Sequence, residues 1–284
     1  MAARKGEQLV LIKVLSNIDA FTKEDALALQ LVAGFFNAVP LIVGKKTRRG
    51  DLDKDVVYKR YGVSTIAPPS FQSMILEEEL PREFIQRGGR FVSIDGAKLK
   101  EIRLSQRMSQ EELASCIQVS ARAVLAYERD EMDVSSEVAD RLEKVLETDL
   151  IIPVDILSQP AIRREIPSEK PIDVPALEQR VNEFFEKLGM RVLWTDRAPF
   201  HVAAKEDDSP LISGVGSLRS HTLQKRVEIL KSVAKVSESD AVIIVEEGKA
   251  EETVSDLPVI RQLELDEIDK PRELRRIIEE RSEK

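Results

Sequence analysis

The sequence predicts an α/β plus all-α chain, in which one all-helical domain stands between two related α/β domains. Three observations predict it. Between Ala97 and Asp149, apolar residues recur at helical spacing in four or five short segments joined by tight turns. On either side, compact apolar runs of strand length alternate with longer amphipathic stretches. The strand–helix–strand order that begins at Gln8 then returns at Leu211. The boundaries drawn from these are 1–96, 97–150, a proline-containing linker at 151–175, and 176–284.

Composition narrows the chemistry. A chain of 284 residues with 42% hydrophobic and 33% charged residues can bury substantial cores under a charged surface. Its formal charge of −8 is uneven: +2 over 1–96 (14 basic, 12 acidic), −4 over 97–150 (8 basic, 12 acidic) and −6 over 151–284 (21 basic, 27 acidic). A nucleic-acid partner must therefore meet a local patch. No apolar run reaches membrane-spanning length, and the amino end lacks a secretory hydrophobic region. One cysteine, Cys116, excludes an intramolecular disulfide and a cysteine-based zinc site. Its apolar neighbours predict a small buried side chain. With only His201 and His221, a histidine-rich metal site or Ser-His-Asp machinery has little material. No catalytic residue, metal or cofactor is expected, and the balance points to the cytoplasm.

Residues 1–96 read as the first α/β domain. Gln8–Leu15 is a buried strand. Thr22 and Asp25 have the capping spacing that opens a helix running to about Ala38, with Ala26, Leu29, Leu31, Val32, Phe35 and Phe36 on its buried face. Val39–Gly44 is the next strand, which implies a parallel unit with a right-handed crossover. Short strands follow at 56–58 and 65–66, a helix at 71–76 and a last strand at 90–94. The loop Lys45, Lys46, Thr47, Arg48, Arg49 is the densest basic cluster in the chain, and its cations are candidate phosphate contacts as well as ordinary solvated charges. Asp51, Asp53 and Asp55 follow and partly cancel it.

The centre begins with a helix at about 98–107, with Leu99 and Ile102 facing inward. Ser109 and Glu112 form a capping box for the next helix, whose apolar face is Leu113, Ala114 and Ile117. A turn at Gln118–Val119 leads to Ser120, which caps a third helix carrying Val124 and Tyr127. A further helix follows Ser135 or Ser136, with Val138, Leu142 and Val145 on one stripe. Two short helices about three residues apart inside such a bundle have the form of a helix-turn-helix.

On Leu99, Arg103, the run Met108 to Ala114, Ile117, Val119, Ser120, Val124, Tyr127, Glu128 and Leu142, the segment resembles the Xre/Cro/lambda-repressor family of DNA-binding domains. The resemblance implies that Arg103 and Glu128 form a structural ion pair away from DNA. It implies that the third helix enters the major groove of double-stranded DNA. Ser109 and Gln110 then stand at the backbone, and Ser120, Ala121, Arg122, Leu125 and Ala126 face bases. Arg122 is the strong reader, because a guanidinium can grip guanine by two hydrogen bonds. The sequence departs from the family at two places. Gln118 replaces the usual turn glycine, and Ala121, Ala123, Leu125 and Ala126 offer no side-chain hydrogen bonds.

Beyond the prolines at 153, 160, 167, 171 and 175, a helix is expected from about Ala176 to Leu188, then two strands at 191–195 and 200–204 that form a hairpin. Leu211–Val215 then matches Leu11 onward at an offset of 200, with Thr222 on Thr22. A helix at 219–236 follows, Ala241–Val245 matches Val39–Val43 at an offset of 202, and a strand at 258–262 closes the copy. A helix and two strands precede Leu211, whereas almost nothing precedes Gln8, so the first copy is expected to lack its opening elements. Another chain could supply them, the start could be misplaced, or the sheet could be smaller.

This plan resembles the restriction-endonuclease-like fold of the PD-(D/E)xK nucleases. That family needs one upstream acid and then an acid two residues before a lysine. Here Leu11 precedes Lys13, Leu211 precedes Ser213, and His201 stands near the upstream acid's place, so both domains are expected to be catalytically degenerate and the chain not an enzyme. The whole order resembles a family of archaeal helix-turn-helix transcriptional regulators, on segments that include 11–20, 40–48, 57–63, 94–103 and 137–145. It implies a DNA-binding regulator, a homodimer because one such helix reads few base pairs, and α/β domains that dimerise the chain or receive a signal. The alternative is a protein-interaction scaffold that does not bind DNA.

Overall fold

The computed structural model describes residues 1–158, 175–195, 197–206 and 209–282. In chain order the elements are β1 Ala2–Lys5, β2 Gln8–Asn17, α1 Lys23–Phe35, β3 Val39–Thr47, β4 Gly50–Asp51, β5 Val56–Arg60, β6 Val63–Ile66, α2 Pro68–Leu76, β7 Glu83–Gln86 and β8 Gly89–Ile94. The helical segment follows as α3 Gly96–Ser105, α4 Gln110–Ile117, α5 Ala121–Glu128, β9 Val134–Ser135 and α6 Ser136–Leu146, closed by β10 Ile151–Ile152. The carboxy-terminal part is α7 Ala176–Lys187, β11 Arg191–Trp194, β12 Val202–Glu206, β13 Ser209–Gly216, α8 His221–Ser237, β14 Asp240–Val245, β15 Thr253–Val254, β16 Leu257–Arg261 and α9 Pro271–Ser282.

These elements gather into two compact units. One draws on Met1–Ile12, Leu27–Pro40 and the described residues of 160–284, and the other on Lys13–Ala26 and the described residues of 41–159. Strands β2 and β3 and helix α1 contribute residues to both.

The second unit holds a sheet in the order β3-β6-β5-β7-β8-β10, with β4 paired to β3 and β9 paired to β8. β3 is parallel to β6, β6 antiparallel to β5, β5 parallel to β7, and β7 antiparallel to β8. β3 and β8 therefore run in the same direction, and the register carried across the sheet sets Val43 level with Phe91. The chain leaves β8 at Ile94, makes the helical bundle and returns at Ile151, which pairs with Ile94. Val92 and Ile94 of β8 share one apolar core with Leu99, Leu113, Ile117, Val124 and Leu142 of the helices. The bundle is thus welded to the strand that feeds it.

In the first unit, β11-β12-β13-β14-β16-β15 form a six-stranded sheet. β13 and β14 are parallel across α8, the pairing that strand–helix–strand spacing predicts. Alternate residues of β13 divide between its two faces. Leu211 and Val215 pack with Leu177, Val181 and Phe185 of α7, while Ile212 packs with Leu223, Val227 and Leu230 of α8. Phe35 of α1 joins the α8 side. Two cations tie the long helices in this unit. Arg4 of β1 donates to the Val236 and Ser237 carbonyls at the end of α8, at 2.8 and 3.2 Å. Lys205 of β12, 8% exposed, donates to the Phe35 carbonyl at the end of α1, at 3.1 Å. Phe35 and Ser237 are the last residues of α1 and α8, so each contact meets a helix end. Each places a positive charge where helix carbonyls lack partners.

Several expectations need correction. The residues before Gln8 are not empty: β1 pairs antiparallel with β2 from Ala2↔Leu11 to Lys5↔Gln8. This strand has little apolar content to announce it, and main-chain pairing makes it. Lys45–Arg49 is not a free loop, because β3 runs on through Thr47 and only Arg48 and Arg49 form the turn to β4. Cys116 is exposed, not buried, because Leu113, Ala114 and Ile117 turn to the core and leave it on the outer side of α4. Of the expected linker, Ile151–Ile152 is strand β10 and Ile156 is fully buried, while 159–174 lie outside the described residues.

Candidate nucleic-acid interface

The bundle is built from caps inward. The Ser109 hydroxyl accepts the Glu112 N–H at 3.1 Å, and the Glu112 carboxylate accepts the Ser109 N–H at 2.7 Å. The Ser109 N–H, and after it the Ser109 hydroxyl, hold the Glu112 carboxyl below its ordinary pKa. Helix α4 ends at Gln118, whose φ of 60° and ψ of 49° place it in the left-handed region. That conformation turns the chain sharply enough for α5 to start at once, with the Ser120 hydroxyl accepting the Ala123 N–H at 3.1 Å.

Helix α5 divides cleanly. Val124 and Tyr127 are buried in the bundle core. Ser120 and Arg122 are exposed, and Ala121, Leu125 and Ala126 are half-buried. The outward surface is therefore one guanidinium, one hydroxyl and a shallow apolar strip. Arg103 of α3 and Glu128 of α5 meet behind it, at 2.6 Å from Nε to Oε1 and 3.3 Å from Nη2 to Oε2. Arg103 also donates to the Met108 carbonyl at 2.7 Å. The pair is almost wholly enclosed, with side-chain exposures of 7% and 2%. Gln110 closes the network, its amide donating to Glu128 Oε2 at 2.7 Å. The residue expected at a phosphate is thus held, in this structure, by the carboxylate of the structural pair.

Gly96 fixes the approach of α3 to α5. A β-carbon there would stand 2.3 Å from the Tyr127 carbonyl oxygen and 2.9 Å from the Glu128 carbonyl carbon. The Gly96 N–H donates to Asp130 Oδ1 at 3.0 Å. Arg107 and Arg129 are further exposed cations beside the two helices of the motif. Arg107 lies in the α3–α4 turn with a left-handed φ of 58°, and Arg129 follows α5. Their signal was basic residues flanking the two helices of the motif. Lys45, Lys46, Arg48 and Arg49 are all exposed or half-exposed, on the β3–β4 hairpin and not on the bundle.

At the nuclease-like positions, Lys13 is exposed on β2 with Leu11 two residues before it. On β13, Ser213 is 1% exposed. His201 stands just before β12 and accepts the Val215 N–H at 3.0 Å on Nδ1, with Arg226 against Nε2. Burial and then the Arg226 charge lower its pKa to about 4. Among the described residues no three His, Cys, Asp or Glu side chains gather as a metal site, and no helix is long and apolar enough to cross a membrane.

Comparison with known proteins adds two matches. The family described as PD-(D/E)XK superfamily domain matches residues 1–81, and the family described as helix-turn-helix matches residues 99–151. A protein of Thermococcus kodakarensis with the provisional name HTH-type transcriptional regulatory protein is 37% identical over 95% of this chain and 84% of its own length. Proteins with the same name in Methanobrevibacter smithii and Haloarcula marismortui are 33% and 34% identical over 100% of this chain, covering 89% and 88% of theirs. No solved structure matches.

Proposed function

The chain belongs to the family of archaeal HTH-type transcriptional regulatory proteins, and from that premise we propose that it is a DNA-binding regulator that reads double-stranded DNA through helix α5. The observation that carries the reading is the geometry of α4 and α5. Two capped helices are locked by a left-handed turn, and Arg122 projects from the outer side of the second. Arg122 is the base reader. Ser109, Gln110 and Ser120 stand at the helix starts, where backbone N–H groups and amides suit phosphates. Ala121, Leu125 and Ala126 supply the apolar strip that can meet thymine methyls. Arg103 and Glu128 stay in the core. The nuclease-like fold at 1–81 serves as a scaffold without hydrolysis, since Leu11 occupies the place of the acid before Lys13. The carboxy-terminal α/β domain is a second copy of that scaffold, supported by the matching contacts of Arg4 and Lys205. The chain works in the cytoplasm as a homodimer that places two bundles on half-sites about 34 Å apart.

Titration of a fluorescent random-sequence duplex at rising salt tests this. Binding that weakens steeply with salt supports the regulator. No binding at low salt would move the chain to the protein-interaction scaffold. Incubation of the same duplex with Mg²⁺ or Mn²⁺ should leave it intact, and cleavage by wild type that is abolished in Lys13→Ala would contradict the non-enzymatic reading.

A further inference from the structure

The bundle carries 8 basic residues against 12 acidic over 97–150, yet duplex affinity comes largely from cations that neutralise phosphates. The missing charge stands elsewhere in the same unit. Lys45 and Lys46 are exposed at the end of β3, and Arg48 and Arg49 form the turn beyond. The hairpin is held in shape by Lys46↔Asp51 and Thr47↔Gly50 pairing and by the Arg48 N–H donating to Asp19 Oδ2 at 2.7 Å. Of the nearby acids, Asp51 stands opposite Lys46 on the hairpin, and Asp19 and Asp53 are taken by other partners. Asp19 pairs with Arg60, and Asp53 binds Arg90 at 2.5 Å and the Tyr58 hydroxyl at 3.0 Å. Among the described residues, no carboxylate forms an ion pair with any of the four cations.

Their position is as telling as their charge. β3 and β8 run the same way, so the hairpin lies at the end of the sheet where β8 hands the chain to the bundle and β10 takes it back. Four strand spacings separate β3 from β8, about 19 Å. Along a duplex that is roughly five to six base pairs at about 3.4 Å per step.

We propose that the β3–β4 hairpin is a second DNA contact, in which Lys45, Lys46, Arg48 and Arg49 bind the phosphate backbone of the same duplex that α5 reads. The proposal rests on the regulator reading above. The hairpin supplies affinity and register, and α5 supplies sequence choice.

The test compares wild type, the quadruple variant Lys45→Gln/Lys46→Gln/Arg48→Gln/Arg49→Gln, and Arg122→Ala. Each is titrated with random-sequence duplex at several salt concentrations and then footprinted with hydroxyl radicals on the duplex that wild type selects from that pool. The quadruple variant should bind more weakly, with a log–log salt slope shallower by about 0.9 for each phosphate the hairpin no longer neutralises. It should select the same motif and give up only protection lying to one side of it. Arg122→Ala should lose the motif and keep the outlying protection. A quadruple variant with unchanged slope and footprint would overturn the hairpin's role while leaving the regulator reading standing. Wild type that binds no duplex at low salt would remove both. Exchanging Lys for Arg and Arg for Lys at all four positions keeps the charge, and that variant should bind as wild type if charge and not fold is what the Gln variant lacks.

Discussion

Gln118 adopts a backbone that a β-carbon makes costly, and it does so at the hinge between the two helices of the motif. Glycine reaches that conformation without the clash, so Gln118→Gly should raise stability by about 0.5–1 kcal/mol in urea denaturation, with the duplex-binding surface unchanged. The Arg103–Glu128 pair answers to the opposite logic. Both charges are enclosed, and removing one leaves the other without its partner. Arg103→Met should cost about 3–5 kcal/mol, and Arg103→Met with Glu128→Leu should recover most of it. Comparing the two urea midpoints checks this, and a double variant as weak as the single one would show that the pair does more than satisfy itself. These positions were legible in the sequence because an Arg on the first helix and a Glu ending the third fit the motif. Gln110 was half legible. Its place at the start of α4 could be read, but its amide reaches Glu128, and a spacing pattern does not reveal which of two acceptors a long side chain takes. Cys116 misled because apolar neighbours in sequence are not neighbours in space on a helix.

At the scale of elements, long periodic segments were legible and short paired ones were not. Strands β2, β3, β13 and β14 carry dense apolar runs, helices α4 and α5 carry serine caps, and α6 carries an apolar stripe. β1, β7, β9 and β10 are two to four residues each and exist because a neighbouring strand offers hydrogen bonds. Helix α9 escaped although Pro271 opens it and Leu274 and Ile278 bury one face, since so much of its surface is charged. Bundle and sheet are joined through these small strands, and Gly96 lets α3 start within contact of the end of α5. Gly96→Ala should therefore push the two helices apart, lowering stability by about 1–3 kcal/mol and weakening duplex binding. Thermal unfolding and the salt titration together check it.

Across the molecule, two helix-end cations and one half-buried imidazole contribute to the stability of the first unit. Lys205→Met keeps the stem and removes the charge at the end of α1, which should cost about 1.5–3 kcal/mol in urea unfolding. His201 makes stability depend on pH in a definite sense. Its folded pKa of about 4 lies below its ordinary 6.5, so the unfolded chain takes up a proton first. Its contribution is fully present above pH 6.5 and is lost as pH falls toward 4. The thermal midpoint should fall through that window, and His201→Gln should flatten the fall. The strand–helix–strand order of this unit was legible, but its contacts were not, because Arg4 and Lys205 look like surface charges until the helix ends they meet are in place.

In the proposed regulator, Arg122 of α5 reads bases. Selection from a random duplex pool, run in parallel with wild type and Arg122→Ala, tests it most directly. Wild type should select a motif with two-fold symmetry, and the variant should lose or relax it at an affinity cost of about 1–3 kcal/mol. The same motif recovered by both proteins would contradict it.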